Sequence, residues 1–131
     1  MAIKLKPDYA LAHNNLGVAL GKVGKTKEAI SHYRTAIKIS PDFALAHNNL
    51  GIALVAEGKN EEAISHYKMA IKIKPDYAEA YSNLGAVLFA IKKTEEAISH
   101  YKMAIKLKPD YADAHNNLGI ALRSMEIQDL F

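Results

Sequence analysis

Hydrophobic and polar positions along this chain alternate with a helical rhythm that is reset by proline. From Ala44, the residues Ala44, His47, Leu50, Gly51, Ala53 and Leu54 fall at three- and four-residue steps, the stripe of a helix with one packed face. A second stripe follows in Ala63, Ile64, Tyr67, Ala70, Ile71 and Ile73. Gly58 stands between them at the place for a C-cap, and Asn60-Glu61-Glu62 offers an N-cap with acids in the first turn. Pro75 ends the second stripe, and Asp76 is placed to cap the next helix. The pattern predicts helices near 8–22, 26–39, 42–56, 60–73, 76–91, 94–107 and 110–126. Lys92 occupies the place of Gly24 and Gly58, so the helix before it is expected to run on or to end without a left-handed glycine.

The same unit recurs. Pro7, Pro41, Pro75 and Pro109 stand 34 residues apart, each followed by Asp and an aromatic. Ala-Ile-Ser-His-Tyr repeats from Ala29, Ala63 and Ala97, and Asn-Leu-Gly from Asn15, Asn49, Asn83 and Asn117. A fixed period of this length implies one helix pair stacked several times. The chain reads as a single array over 1–131: the end of a preceding helix at 1–9, full repeats at 10–43, 44–77 and 78–111, and a partial, divergent unit at 112–131. Gly17, Gly51, Gly85 and Gly119 lie mid-helix, where glycine costs roughly 1 kcal/mol. Their recurrence predicts a close neighbour, with Ala29, Ala63 and Ala97 as the expected counterparts and Tyr33, Tyr67 and Tyr101 one turn on.

These residues resemble the tetratricopeptide repeat, whose pattern is Trp-x2-Leu-Gly-x2-Tyr, Ala-x3-Phe and Pro over 34 residues. The matches are His13, Leu16, Gly17, Leu20, Ala29, Tyr33 and Pro41, then His47, Leu50, Gly51, Leu54, Ala63, Tyr67 and Pro75. Tyr81, Leu84, Gly85, Leu88, Ala97, Tyr101 and Pro109 form a third set, and His115, Leu118, Gly119 and Leu122 begin a fourth. The resemblance implies an all-α solenoid of antiparallel helix pairs in a right-handed superhelix, with a groove lined by first helices that binds peptides. In members that clamp acidic chaperone tails, Lys and Arg project into that groove. This chain has Asn14, Val18, Asn49, Glu79 and Ser82 in those phases, so that ligand is not expected.

The run Ala78-Glu79-Ala80-Tyr81-Ser82-Asn83-Leu84-Gly85 is similar to repeats of O-linked N-acetylglucosamine transferases. There an asparagine ladder holds the backbone of an extended peptide. By that resemblance the ladder here is Asn15, Asn49, Asn83 and Asn117, with Asn14 and Asn48 beside it. An Asn amide donates and accepts together, so it can pair with a peptide unit whatever its side chain. The competing reading is a bond to a neighbouring helix. At roughly 0.5–1.5 kcal/mol per bond, four asparagines do not offset the several kcal/mol that association costs. Apolar walls are therefore needed, with Leu11, Val18, Leu45, Ile52, Val55, Ala86 and Phe89 as candidates. Val18 and Ile52 are equally well placed to pack between first helices.

Composition narrows the alternatives. Of 131 residues half are hydrophobic, 17 are basic and 14 acidic, giving a net charge of +3. That balance falls short of a nucleic-acid footprint. Lys38, Lys68, Lys72, Lys102 and Lys106 read as a solvated face. There is no cysteine, and the apolar runs are too short for a membrane span, so no membrane partner and a cytoplasmic location are expected. His13, His47 and His115 share one phase and His32, His66 and His100 another. Residues one repeat apart should lie near 10 Å from each other, too far to share zinc with bonds of about 2 Å, so no metal or other cofactor is expected. Nor does a nucleophile–base pair or phosphate loop stand out, and no catalytic residue is expected.

The last unit leaves the pattern after Arg123, and its packing face would include Leu118, Ala121, Leu122 and Met125. An uncovered end of this kind implies either a fragment of a longer array or ends that pair between chains, as a closed dimer or an end-to-end assembly. Two functions stay open: an interaction scaffold for an extended protein or peptide segment, or a structural unit that self-assembles through its ends. A third, a substrate-recruiting arm of a larger glycosyltransferase, would require a catalytic domain outside these residues.

Overall fold

In a computed structural model, residues 2–130 are described, with side chains from residue 7 onward. They form α1 (Ala2–Lys22), α2 (Thr26–Ile39), α3 (Ala44–Ala56), α4 (Asn60–Ile73), α5 (Ala78–Ala90), α6 (Thr94–Leu107) and α7 (Ala112–Asp129). The expected boundaries hold to within about three residues for all but the first. α1 begins at Ala2 and runs straight through Pro7, where the phase predicts a stop. Pro7 lies early in the helix, and its ring removes one backbone donor without ending the turn. Met1 and Phe131, the ends of the expected first and last segments, lie outside the described residues.

The chain divides into two compact units, residues 1–73 and 74–131. In the first, α1 pairs with α2 and α3 with α4, and α2 packs on α3. Ala10, Ala36 and Ala46 are buried together where α1, α2 and α3 meet, with Ile37, Ile39 and Phe43 against them. Alanines at the crossing let the helices approach closely while the larger residues fill the margin. In the second unit α5 pairs with α6 and α6 packs on α7, with further contact between α5 and α7.

The turns within each pair share one geometry. Lys25 N–H donates to the Leu20 carbonyl at 2.9 Å, Lys59 N–H to Leu54 at 2.8 Å and Lys93 N–H to Leu88 at 2.9 Å. Each closure passes through one left-handed residue, which glycine adopts without steric penalty. Gly24 has φ of 82° and Gly58 of 76°, and Lys92 takes φ of 68° in the third turn. α5 therefore ends at the repeat position with a lysine forced into the glycine conformation.

The proline turns differ from expectation. The N-cap residues of α3, α5 and α7 are Phe43, Tyr77 and Tyr111, and none makes a side-chain cap. Asp76 therefore precedes the cap position instead of filling it, and Asn60 is the first residue inside α4. The turn is closed by backbone bonds, Tyr77 N–H to Lys74 at 3.1 Å and Tyr111 N–H to Lys108 at 3.0 Å. His47 Nε2–H donates to the Pro41 carbonyl at 2.9 Å and His115 Nε2–H to Pro109 at 2.7 Å, satisfying an acceptor that proline turns leave open.

Candidate functional site

The mid-helix glycines are explained by tyrosine rings. A Cβ added to Gly17 would lie 2.5 Å from Tyr33 Cε1, one on Gly51 2.5 Å from Tyr67 Cε1, and one on Gly85 2.7 Å from Tyr101 Cε1. The alanines expected as counterparts are buried elsewhere in the interface; the phenol rings take the glycine notch. Burial pushes the Tyr33, Tyr67 and Tyr101 phenols up from their ordinary range. Gly119 stands apart, with nothing within 4 Å of the same added atom.

Residues of α1, α2 and α3 line a recess of about 280 Å³ in the first unit. Val18 and Lys22 from α1, Tyr33 and Ala29 from α2, and Asn49, Ile52, Ala53 and Ala56 from α3 line it. Its walls are mainly carbon, with Asn49, Lys22 and Thr26 among the polar residues that line it. Such a concavity suits one apolar side chain oriented by a few polar groups. Leu11, Leu45 and Ile52 are 47%, 43% and 49% exposed, which a solitary packing role would not leave. Val18 is half-buried.

The asparagines separate by phase. Asn15 is exposed, and Asn49, Asn83 and Asn117 are half-buried. Asn14 and Asn48 turn inward, at 0% and 5% exposure, with Ser82 at the same phase in α5 also buried. Asn14 therefore presents no amide to a ligand, which corrects its place beside the ladder, and Asn48 is likewise enclosed. Asn49 Nδ2 donates to Asn14 Oδ1 at 3.1 Å, the helix-to-helix bond that the competing reading anticipates. Asn14 Nδ2 is buried with no hydrogen-bond partner. Val55 and Phe89 share a phase about 60° from that of Ile52 and Ala86; Val55 is 38% exposed and Phe89 half-buried, and neither lines the recess.

Histidines pair inside the first two repeats, a relation that spacing one repeat apart does not reveal. His13 and His32 meet Nδ1 to Nδ1 at 3.0 Å with stacked rings, and His47 and His66 do the same at 3.0 Å. Tyr81 replaces the first histidine in α5 and lies against His100. Because His47 Nε2–H is donated to Pro41, its Nδ1 is the acceptor in the pair, and His66 Nδ1–H is the donor. Burial holds His66 below the ordinary 6.5, the nearby His47 adds to this, and Glu62 partly opposes it. The signal that could have found these pairs is the 19-residue separation of His13 from His32 and of His47 from His66. Among the described residues no group of three His, Cys, Asp or Glu is placed to hold a metal ion, and no helix is long and apolar enough to cross a membrane.

Of the expected end-contact residues, Ala121 is fully buried within its unit, Leu118 and Met125 are half-buried, and Leu122 is 43% exposed. Ala121 is thus already engaged and leaves the proposed contact face to the others.

Helix pairs closed by a glycine turn and locked by a tyrosine in a glycine notch define a helical-hairpin repeat protein. The sequence profile of the TPR repeat matches residues 22–56, 53–92 and 87–125. The chain belongs to the TPR repeat family. Its fold is similar to the first TPR of Spaghetti (RPAP3) bound to HSP90 peptide SRMEEVD, at 29% identity and TM-score 0.89 over 92% of this chain and 95% of that one. The first TPR domain of human RPAP3 is similar at 29% identity and TM-score 0.90, over 94% and 97% of the two chains. An O-GlcNAc transferase of Thermobaculum terrenum matches 89% of this chain at 26% identity and TM-score 0.85, with only 22% of the transferase covered. No curated protein matches the chain.

Proposed function

We propose that this chain is a protein-interaction scaffold that holds an extended peptide segment on the face shared by α1 and α3. The observation that carries the proposal is the Asn49 amide at the rim of an open apolar recess, with Ile52 and Val18 as its walls. A peptide side chain entering the recess gains apolar burial, and Asn49 offers its carbonyl, and one amide hydrogen beyond that given to Asn14, to the peptide backbone. Asn15 in the same unit, and Asn83 and Asn117 in the second, extend the same chemistry. The peptide held by the RPAP3 domain is acidic. Here Glu79 occupies one phase of the basic clamp and is paired with Lys108 at 3.8 Å, so the ligand of this chain is apolar with no required acidic tail. A soluble scaffold of this kind works in the cytoplasm and carries no reaction centre of its own.

Binders selected from a displayed library of random peptides would be measured against three variants. Ile52→Arg and Asn49→Ala should each abolish capture. Asn14→Ala should preserve it, because that change breaks the Asn14–Asn49 bond yet leaves the Asn49 amide at the recess. Equal loss in Asn14→Ala and Asn49→Ala would assign the asparagine pair to packing and remove the ladder.

A further inference from the structure

Gly21 lies in the last turn of α1, inside a helix, where glycine is the least favourable residue after proline. Gly17 and Gly51 are accounted for by the tyrosine rings seated on them, and Gly24 and Gly58 by left-handed turns. Gly21 has neither reason: no atom lies within 4 Å of a Cβ added to it, and its φ is not positive. The other three helices of this phase all carry a side chain at the same position, Val55 in α3, Phe89 in α5 and Arg123 in α7. What Gly21 borders is the recess of about 280 Å³, together with Val18, Tyr33, Asn49 and Ile52. A glycine at this one place leaves free the space that a side chain takes in the other repeats.

We propose that Gly21 is the specificity-determining residue of the recess, and that it admits one phenylalanine side chain of the bound peptide. The ring enters the peptide-binding face proposed above, and its identity rests on that reading. A dry apolar cavity of about 150 Å³ already takes benzene, so the recess has room for a phenyl group and its Cβ. The third repeat carries a phenylalanine of its own at this position, the half-buried Phe89, whereas the first repeat leaves the position to a ligand. Tyr33 is 5% exposed and gives the recess a fixed aromatic wall, against which a second ring packs edge to face or offset. Lys22 borders the same space and makes no ion pair among the described residues. Its ammonium can lie over the bound ring, as Lys74 lies over Tyr77 at 4.8 Å and Lys108 over Tyr111 at 4.9 Å. A leucine side chain would gain neither contact.

The probes are N-acetyl-phenylalanine amide and N-acetyl-leucine amide, titrated at millimolar concentrations into the isotope-labelled chain while backbone amide shifts are followed. Saturable shifts at Val18, Gly21 and Ile52 are expected with the phenylalanine probe, and binding roughly fivefold weaker with the leucine probe. Gly21→Val should weaken the phenylalanine probe by about tenfold or more, and Gly21→Ala, which adds a single methyl, should keep most of the binding. Both variants should keep the helical circular dichroism of the parent, since valine is what α3 carries at this phase. Lys22→Met should weaken the phenylalanine probe and leave the leucine probe unchanged. Absence of shifts at the recess, equal binding of the two probes to the parent chain, or unchanged binding by Gly21→Val would overturn the proposal. Selection from the displayed peptide library separates it from the scaffold reading. Captured peptides that depend on Asn49 but show no enrichment of phenylalanine would overturn the ring assignment alone. Ring binding at Gly21 with no peptide captured would support the pocket and remove the scaffold.

Discussion

Tyr67 Cε1 lies 2.5 Å from where a Cβ on Gly51 would stand. That single relation turns a residue unfavourable in helices into a requirement, because the ring cannot retreat while it is 2% exposed. Gly51→Ala is expected to destabilise the chain by about 1–3 kcal/mol through overpacking. Gly119→Ala, which meets open space, should stabilise by up to about 1 kcal/mol from helix propensity alone. Urea unfolding of the two variants gives opposite signs; a loss in both would mean that the notch is not what distinguishes them.

Lys92 holds a left-handed backbone at φ of 68°. An L-residue there costs roughly 1–2 kcal/mol relative to its right-handed form, and part of the relief is offset by the extra freedom glycine has when unfolded. Lys92→Gly should therefore raise stability by about 0.5–1 kcal/mol. The midpoint of thermal unfolding checks it, and no gain would show that the third turn is unstrained.

The bond from Asn49 to the buried Asn14 adds a cost to any substitution at Asn49. Asn14 Nδ2 has no hydrogen-bond partner, and Asn49→Ala would leave its Oδ1 unpaired as well. A destabilisation of about 1–3 kcal/mol is expected from the orphaned buried amide. Denaturant curves for Asn49→Ala measure this directly, and peptide binding by that variant must be read at a temperature where it is folded.

His66 gives the chain a pH dependence. Its folded pKa lies below the ordinary 6.5, so the unfolded chain binds the proton more readily. The stability it contributes is complete above 6.5 and is lost as pH falls from there through the folded value. Stability should thus drop between pH 7.5 and pH 5.5, and His66→Phe should flatten that slope. An unchanged slope in the variant would place the titration elsewhere.

The helix pairs were legible because proline and glycine punctuate the apolar stripes, and the repeat carries each boundary three times over. Less legible were relations between residues on different helices. Gly51 signalled a close approach, yet nothing in one dimension says that the approaching group is the Tyr67 ring and not Ala63. The His47–His66 pair is hidden for the same reason, since a period of 34 draws attention to His13 and His47 instead. Asn14 and Asn15 are neighbours in sequence with opposite fates, one in the core and one exposed; the 100° step between them decides this, and the stripe alone does not reveal which way each turns. Lys92 shows the converse, a residue that contradicts the turn while the flanking Leu88–Lys93 bond still forms.

The most direct test of the peptide-binding face is a map of backbone amide shifts with a library-selected peptide. The account expects the largest changes at Val18, Asn49, Ile52 and Ala53, with smaller ones at Asn15 and Leu45. Changes confined to the exposed lysines of α4 and α6, or to the Gly119 face of α7, would contradict it.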